Sequence, residues 1–144
     1  MIYLLRHGDA EPDQGNGDAA RRLTEKGQSQ AGAAGRAIHL LEYGIDACLT
    51  SPKVRARDTA VLVCEHLNLE PEICDPIASR FDTLALVAGR GNVMVVGHEP
   101  DMSSEVARLT GAQVKLKKGG LAILEPGLLR ALLRPAELAG IAGK

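Results

Sequence analysis

Two histidines and two arginines in this 144-residue chain stand where, or just after, an apolar run gives way to a turn. Arg6-His7-Gly8 follows Ile2 to Leu5, and Gly97-His98-Glu99-Pro100 follows Val93 to Val96. Between them, Thr50-Ser51-Pro52-Lys53-Val54-Arg55 follows the apolar run around Ala47 to Leu49. If the three runs are parallel strands with converging carboxyl ends, Arg6, His7, Arg55 and His98 form a cationic clamp around two imidazoles. That is where open α/β sheets hold their ligands. Guanidinium groups match phosphate oxygens two at a time. A helix beginning at Ser51-Pro52 would add unpaired N–H groups and a positive dipole end. At about 4 Å and an effective dielectric near 20, each arginine–phosphate pair gives about 4 kcal/mol before desolvation. The same arginines disfavour imidazolium, which keeps His7 neutral near pH 7 and fit for covalent catalysis. A phosphoryl group is the natural guest.

The elements that must position these groups alternate in type. Ile2 to Leu5 reads as a strand buried on both faces. Asp9 to Asp18, with Pro12, Gly15, Asn16 and Gly17, is a loop long enough to belong to a binding site. Thr24 is placed to N-cap a helix in which Ala31, Ala34, Ile38 and Leu41 recur at helical spacing, and which ends near Tyr43-Gly44. Ile45 to Thr50 reads as a second strand. The next helix, with Ser51 as N-cap and Pro52 at its first position, runs to about Leu67 and buries Val54, Ala60, Val61, Val63, Cys64 and Leu67. A short strand at Glu72 to Cys74 and a helix from about Phe81 to Ala88 follow. Then come the strand at Val93 to Val96 and a helix from Met102 to Leu109. Leu121 to Glu125 and Leu128 to Leu133 pair as a hairpin around Pro126-Gly127, and Leu138 to Lys144 is expected to fray. The order predicts one α/β domain of three layers, α/β/α, with a mainly parallel central sheet and an antiparallel edge.

Composition narrows the function classes. One Phe, two Tyr and no Trp argue against a stacking surface for single-stranded nucleic acid, and a net charge of −1 argues against a duplex footprint. No apolar run approaches the roughly 20 residues that span a bilayer. The amino terminus lacks a charged region followed by a small-residue cleavage site, so a cytoplasmic protein is expected, with neither nucleic acid nor membrane as partner. Cys48, Cys64 and Cys74 read as reduced core thiols, and no Cys/His cluster calls for a metal or cofactor. His39 and His66 fall inside helices and read as structural or exposed. The basic run Lys115, Lys117 and Lys118 reads as a solvated turn; its other use would be to meet an acidic partner near the pocket rim.

The three blocks together resemble the histidine phosphatase, or phosphoglycerate mutase-like, superfamily. Leu5-Arg6-His7-Gly8 matches its first signature, and Ser-Pro at 51–52, Arg55 and Thr59-Ala60 match the second. Val96-Gly97-His98-Glu99-Pro100 matches the third. The short chain, the Leu23-Thr24-Glu25-Lys26-Gly27 stretch and the lack of a cap insertion make it most similar to SixA-type phosphohistidine phosphatases. The resemblance implies that His7 attacks phosphorus and carries the phosphoryl group, that Arg6 and Arg55 hold its oxygens, and that His98 donates a hydrogen bond to it. It implies no metal.

The wider family often uses a carboxylic acid to protonate a leaving alkoxide. Asp9, Asp75, Asp82 and Glu99 are the candidates, and the residue pattern singles out none. A phosphohistidine substrate relaxes the requirement, because its leaving imidazole has a reference pKa near 6.5. The leading expectation is therefore removal of phosphate from phosphohistidine in a protein such as a phosphotransfer domain. A phosphomonoesterase of a small metabolite and a non-catalytic phosphate-binding module are the alternatives.

Overall fold

Runs of apolar residues make the inner strands, and alternation divides their side chains between two cores. The computed structural model describes residues 1–143. In chain order the elements are β1 (Ile2–Arg6), α1 (Glu25–Leu40), β2 (Ala47–Thr50), α2 (Val54–Glu65), β3 (Glu72–Ile73), α3 (Thr83–Val87), β4 (Val93–Gly97), α4 (Asp101–Thr110), β5 (Leu121–Glu125), β6 (Leu128–Leu133) and α5 (Pro135–Ala142). Single 3-10 turns lie at Asp18–Ala20 and Asp75–Ala78. The six strands form one sheet in the order β3-β2-β4-β1-β5-β6. β3, β2, β4 and β1 run parallel, and β5 and β6 add an antiparallel edge.

Tyr3 and Leu5 of β1 face a core shared with α1, α2 and Leu138 of α5. Ile2 and Leu4 face the opposite core, shared with Met102 and Val106 of α4 and with Ile77 and Phe81. The result is the expected three-layer α/β/α fold. Among the described residues, no helix is long and apolar enough to cross a membrane.

Several local expectations need correction. α1 ends at Leu40 rather than at Tyr43-Gly44, with Leu41 as its C-cap. α2 starts at Val54 with Lys53, not Ser51, in the N-cap position, because Ser51 is drawn into the site described below. Val61 is exposed, since Arg55 and Thr59 join Ala56, Ala60, Val63 and Cys64 on the buried face. The helix expected over 81–88 shortens to Thr83–Val87, because Asp82 N-caps it by accepting from the Ala85 N–H. Cys74 is only partly buried, unlike Cys48 and Cys64. Instead of fraying, residues 135–142 form α5, whose Leu138 is wholly buried against α1. Ile141 packs against the same core beside Leu138.

Candidate active site

The sheet order is what brings the three blocks together. β4 lies between β1 and β2, with Arg6 level with Gly97 and Thr50 level with Val96. The three carboxyl ends therefore stop at one edge of the sheet. Backbone bonds extend the pairing one residue further: the His7 N–H donates to Gly97 O (3.1 Å) and the Ser51 N–H to Val96 O (3.1 Å). The chain then turns sharply at Gly8 and passes over the first turn of α1. A Cβ at Gly8 would lie 2.6 Å from the Gly27 carbonyl oxygen, and one at Gly27 would lie 2.0 Å from the Asp9 carbonyl oxygen. Both positions need glycine for this close approach. The Gly8 N–H is held by Thr59 Oγ1 (3.0 Å), which itself donates to Arg55 O (2.7 Å). Thr59 thus pins the first block to the second.

His7 and His98 are both buried, with ring centroids 5.2 Å apart. His7 Nδ1 lies 2.7 Å from the Gly8 carbonyl oxygen, which can only accept. The proton is therefore assigned to Nδ1, and Nε2 presents its lone pair. Burial, with the Arg55 and Arg6 guanidiniums adding to it against the pull of the Gly8 hydrogen bond, pushes His7 down to about 4. Burial, followed by the charges of His7 and Arg55, pushes His98 down to about 3. Both rings are neutral at pH 7. His98 Nε2 lies 2.7 Å from Ser51 Oγ, which accepts from the Lys53 N–H (3.2 Å). The Ser51 hydroxyl proton has no other acceptor among the described residues, so it is assigned as donating to Nε2, which places the His98 proton on Nδ1. That Nδ1 is buried and has no protein partner.

Arg55 is almost wholly buried, and its three nitrogens are divided. Nε donates to His7 Nε2 at 3.4 Å, a long and readily displaced bond. Nη1 donates to Asp18 O (2.9 Å) and Nη2 to Asp18 Oδ2 (3.1 Å). Lys53 and Arg21 also pair with the Asp18 carboxylate, at 3.4 and 3.2 Å. Partial desolvation opposes ionisation of Asp18, but hydrogen bonds from Arg21, Arg55 and Lys53 outweigh it and hold the carboxyl at about 2. Arg6 donates from Nη1 to Leu116 O (2.9 Å), while its buried Nε has no protein partner. Two buried donors, Arg6 Nε and His98 Nδ1, are thus unspent near a neutral imidazole.

This arrangement has recognisable relatives. The family model for the histidine phosphatase superfamily (branch 1) matches residues 2–81. The chain belongs to that superfamily. It is 30% identical to an uncharacterized protein of Picosynechococcus over 90% of this chain and 87% of that one. The fold superposes on the structure assigned as phosphohistidine phosphatase SixA from Agrobacterium tumefaciens with a TM-score of 0.82, at 27% identity, covering 93% of this chain and 97% of that one. It also matches the fold of a protein histidine phosphatase SixA complexed with tungstate, with a TM-score of 0.84 at 24% identity, covering 95% and 98%.

Within this histidine phosphatase fold, the four residues picked out from the sequence converge on one edge of the sheet, while the carboxyl candidates are engaged elsewhere or exposed. Asp9 accepts from Thr24 Oγ1 (2.8 Å) and pairs with Lys118 (3.3 Å). The Thr24 hydrogen bond leads in holding its carboxyl below the usual range. Glu99 is occupied as an anchor, accepting from the Ser103 N–H and hydroxyl and from the Leu116 N–H. Asp82 caps α3 and pairs with Arg108. Asp75 is exposed on its 3-10 turn and makes no ion pair with the four site residues. Among the described residues, no group of three or more His, Cys, Asp or Glu side chains is disposed to hold a metal ion.

Asp18 is the residue that sequence reasoning missed. It lies half-exposed in a polar loop, where an aspartate carries no signal of its own. Its spacing ahead of Arg21 was the only available hint. Ser51, read as a helix cap, accepts from the Lys53 N–H and is also the partner of His98. His39 and His66 are exposed, and Arg57 pairs with Asp58 (3.5 Å) on the solvent side of α2.

Proposed function

We propose that this chain is a phosphatase that carries a phosphoryl group on His7 Nε2, and that its substrate is phosphohistidine in a protein. The observation that carries the reading is the neutral, Nδ1-protonated His7 imidazole facing two arginines and His98, with the nearby Asp9 and Asp18 carboxyls held ionised. In the first step the His7 Nε2 lone pair attacks phosphorus in line, and the bond from phosphorus to the substrate nitrogen breaks. Nonbridging oxygens take over the Arg55 Nε and Arg6 Nε donors, and His98 Nδ1–H meets the oxygen on which charge grows. A substrate ring that carries a proton on its other nitrogen leaves as neutral imidazole, and with a reference pKa near 6.5 it takes that proton from solvent, whereas an alkoxide would need a proton that Asp9 and Asp18 do not hold. Water then attacks the phosphoenzyme, phosphate leaves, and Nε2 regains its lone pair. No metal or cofactor enters this scheme.

The test compares a histidine-phosphorylated protein with phosphoserine and small phosphate esters, using the wild type and His7→Ala. Rapid dephosphorylation of the phosphohistidine protein by the wild type alone is expected, with an acid-labile phosphoryl group trapped on His7. Equal rates for wild type and variant would remove the proposal. A faster rate on the esters would move the substrate to a phosphorylated metabolite. Phosphate binding without any turnover would make the chain a binding module.

A further inference from the structure

A cleft of about 510 Å³ opens beside Arg6, and its walls carry Lys26, Lys115, Lys117, Lys118 and Arg134. The whole chain has a net charge of −1, so this local excess is not the overspill of a basic protein. Lys118 is paired with Asp9, and Arg134 with Glu137. Lys26, Lys115 and Lys117 take part in no ion pair among the described residues. All three are exposed.

The cations come from three separate stretches: the first turn of α1, the segment before β5, and the junction of β6 with α5. A site for one small anion draws buried donors onto one point, as the crevice around His7 does. Exposed lysines spread around a large opening suit an extended acidic chain instead, whose carboxylates are met at the rim. The cleft is also tied to the chemistry. Leu116, buried between Lys115 and Lys117, accepts from Arg6 Nη1 (2.9 Å), so the same arginine borders both the cleft and the His7 site.

We propose that this cleft docks an acidic segment adjoining the phosphorylated histidine of a protein substrate. The inference rests on the phosphohistidine reading above and extends it to the sequence around the target. Steering by such a patch acts through long-range attraction, so it weakens with salt.

The experiment uses the full chain and two synthetic peptides, one with its histidine flanked by glutamates and the other with glutamines in their place. By calorimetry at low salt, the unphosphorylated glutamate peptide binds the wild type. It binds Lys26→Gln/Lys115→Gln/Lys117→Gln at least about tenfold more weakly, and its affinity for the wild type falls as salt is added. In turnover, the phosphorylated glutamate peptide has about tenfold higher kcat/KM than the glutamine peptide. The triple variant loses that preference while its hydrolysis of phosphoramidate is unchanged. Equal binding of both peptides by the wild type, or an unaltered affinity in the triple variant, overturns the docking. So does saturable binding of tripolyphosphate at these lysines without binding of the glutamate peptide, which assigns the cleft to a small polyanion. Intact peptide binding with no cleavage of either phosphopeptide or of phosphoramidate supports the docking and refutes the reaction instead.

Discussion

Lowering the pH from 7.5 to 5 should cost this fold about 4 kcal/mol, and two imidazoles account for the loss. A histidine in the unfolded chain titrates near 6.5. In the fold His7 is held at about 4 and His98 at about 3, mainly by burial. Between these values and 6.5 the unfolded chain binds protons that the folded chain refuses, so stability rises with pH across that window and falls as acid is added. At pH 5 the linkage relation gives about 2 kcal/mol for each ring relative to pH 7.5. That is a large share of the 5–15 kcal/mol typical of a domain. Urea unfolding at pH 7.5, 6 and 5 measures it, with the midpoint falling at constant m. His7→Asn and His98→Asn should each remove about half of the pH dependence, because asparagine does not titrate. An equally steep loss in wild type and both variants would show that the rings are hydrated in the fold, and the neutral-nucleophile argument would fail with it.

Other substitutions probe the supports of the site. Thr59→Val removes the oxygen that accepts the Gly8 N–H and should destabilise by about 1–3 kcal/mol in urea titration, the cost of stranding a buried donor. Gly27→Ala, ordinarily a gain of about 1 kcal/mol inside a helix, should destabilise here because its methyl meets the Asp9 carbonyl; a raised Tm would contradict the packing. Leu138→Ala should cost about 2–5 kcal/mol, with hydrogen exchange rising in α5 first, since it opens a cavity against α1. Asp18→Ala removes the carboxylate that holds Arg55 Nη2, leaving only the Nη1 bond to the backbone carbonyl of residue 18, and should lower kcat/KM for phosphoramidate about tenfold. An unchanged rate would mean that Arg55 needs no such tether.

Those supports differ in how far the amino-acid order announced them. The end of an apolar run followed by Arg-His or Gly-His is a weak local pattern, and its recurrence along the chain is what singled out His7 and His98 as candidates. Arg55 was legible through its distance from Ser51-Pro52. Thr24 capped α1 as read, accepting from the Gly27 N–H at 3.0 Å. Asp18 was not legible, because its role depends on a loop folding back over Arg55 from 37 residues away. Nor was the partnership of Ser51 with His98, since a serine before proline reads equally well as a helix cap. α5 was misread for a related reason. Its stability comes from burial of Leu138 against α1, a contact between distant parts of the chain.

The chain by itself determined most of the elements and their alternation, and it singled out candidates for handling a phosphoryl group. These follow from side-chain period, turn chemistry and protonation, all of which act over a few neighbouring residues. Tertiary structure alone decided that β4 enters between β1 and β2, and therefore that the two imidazoles meet. It also decided the depressed proton affinity of both rings and the tether on Arg55. Strand order and desolvation are set by pairings across the whole chain, and no local window contains them.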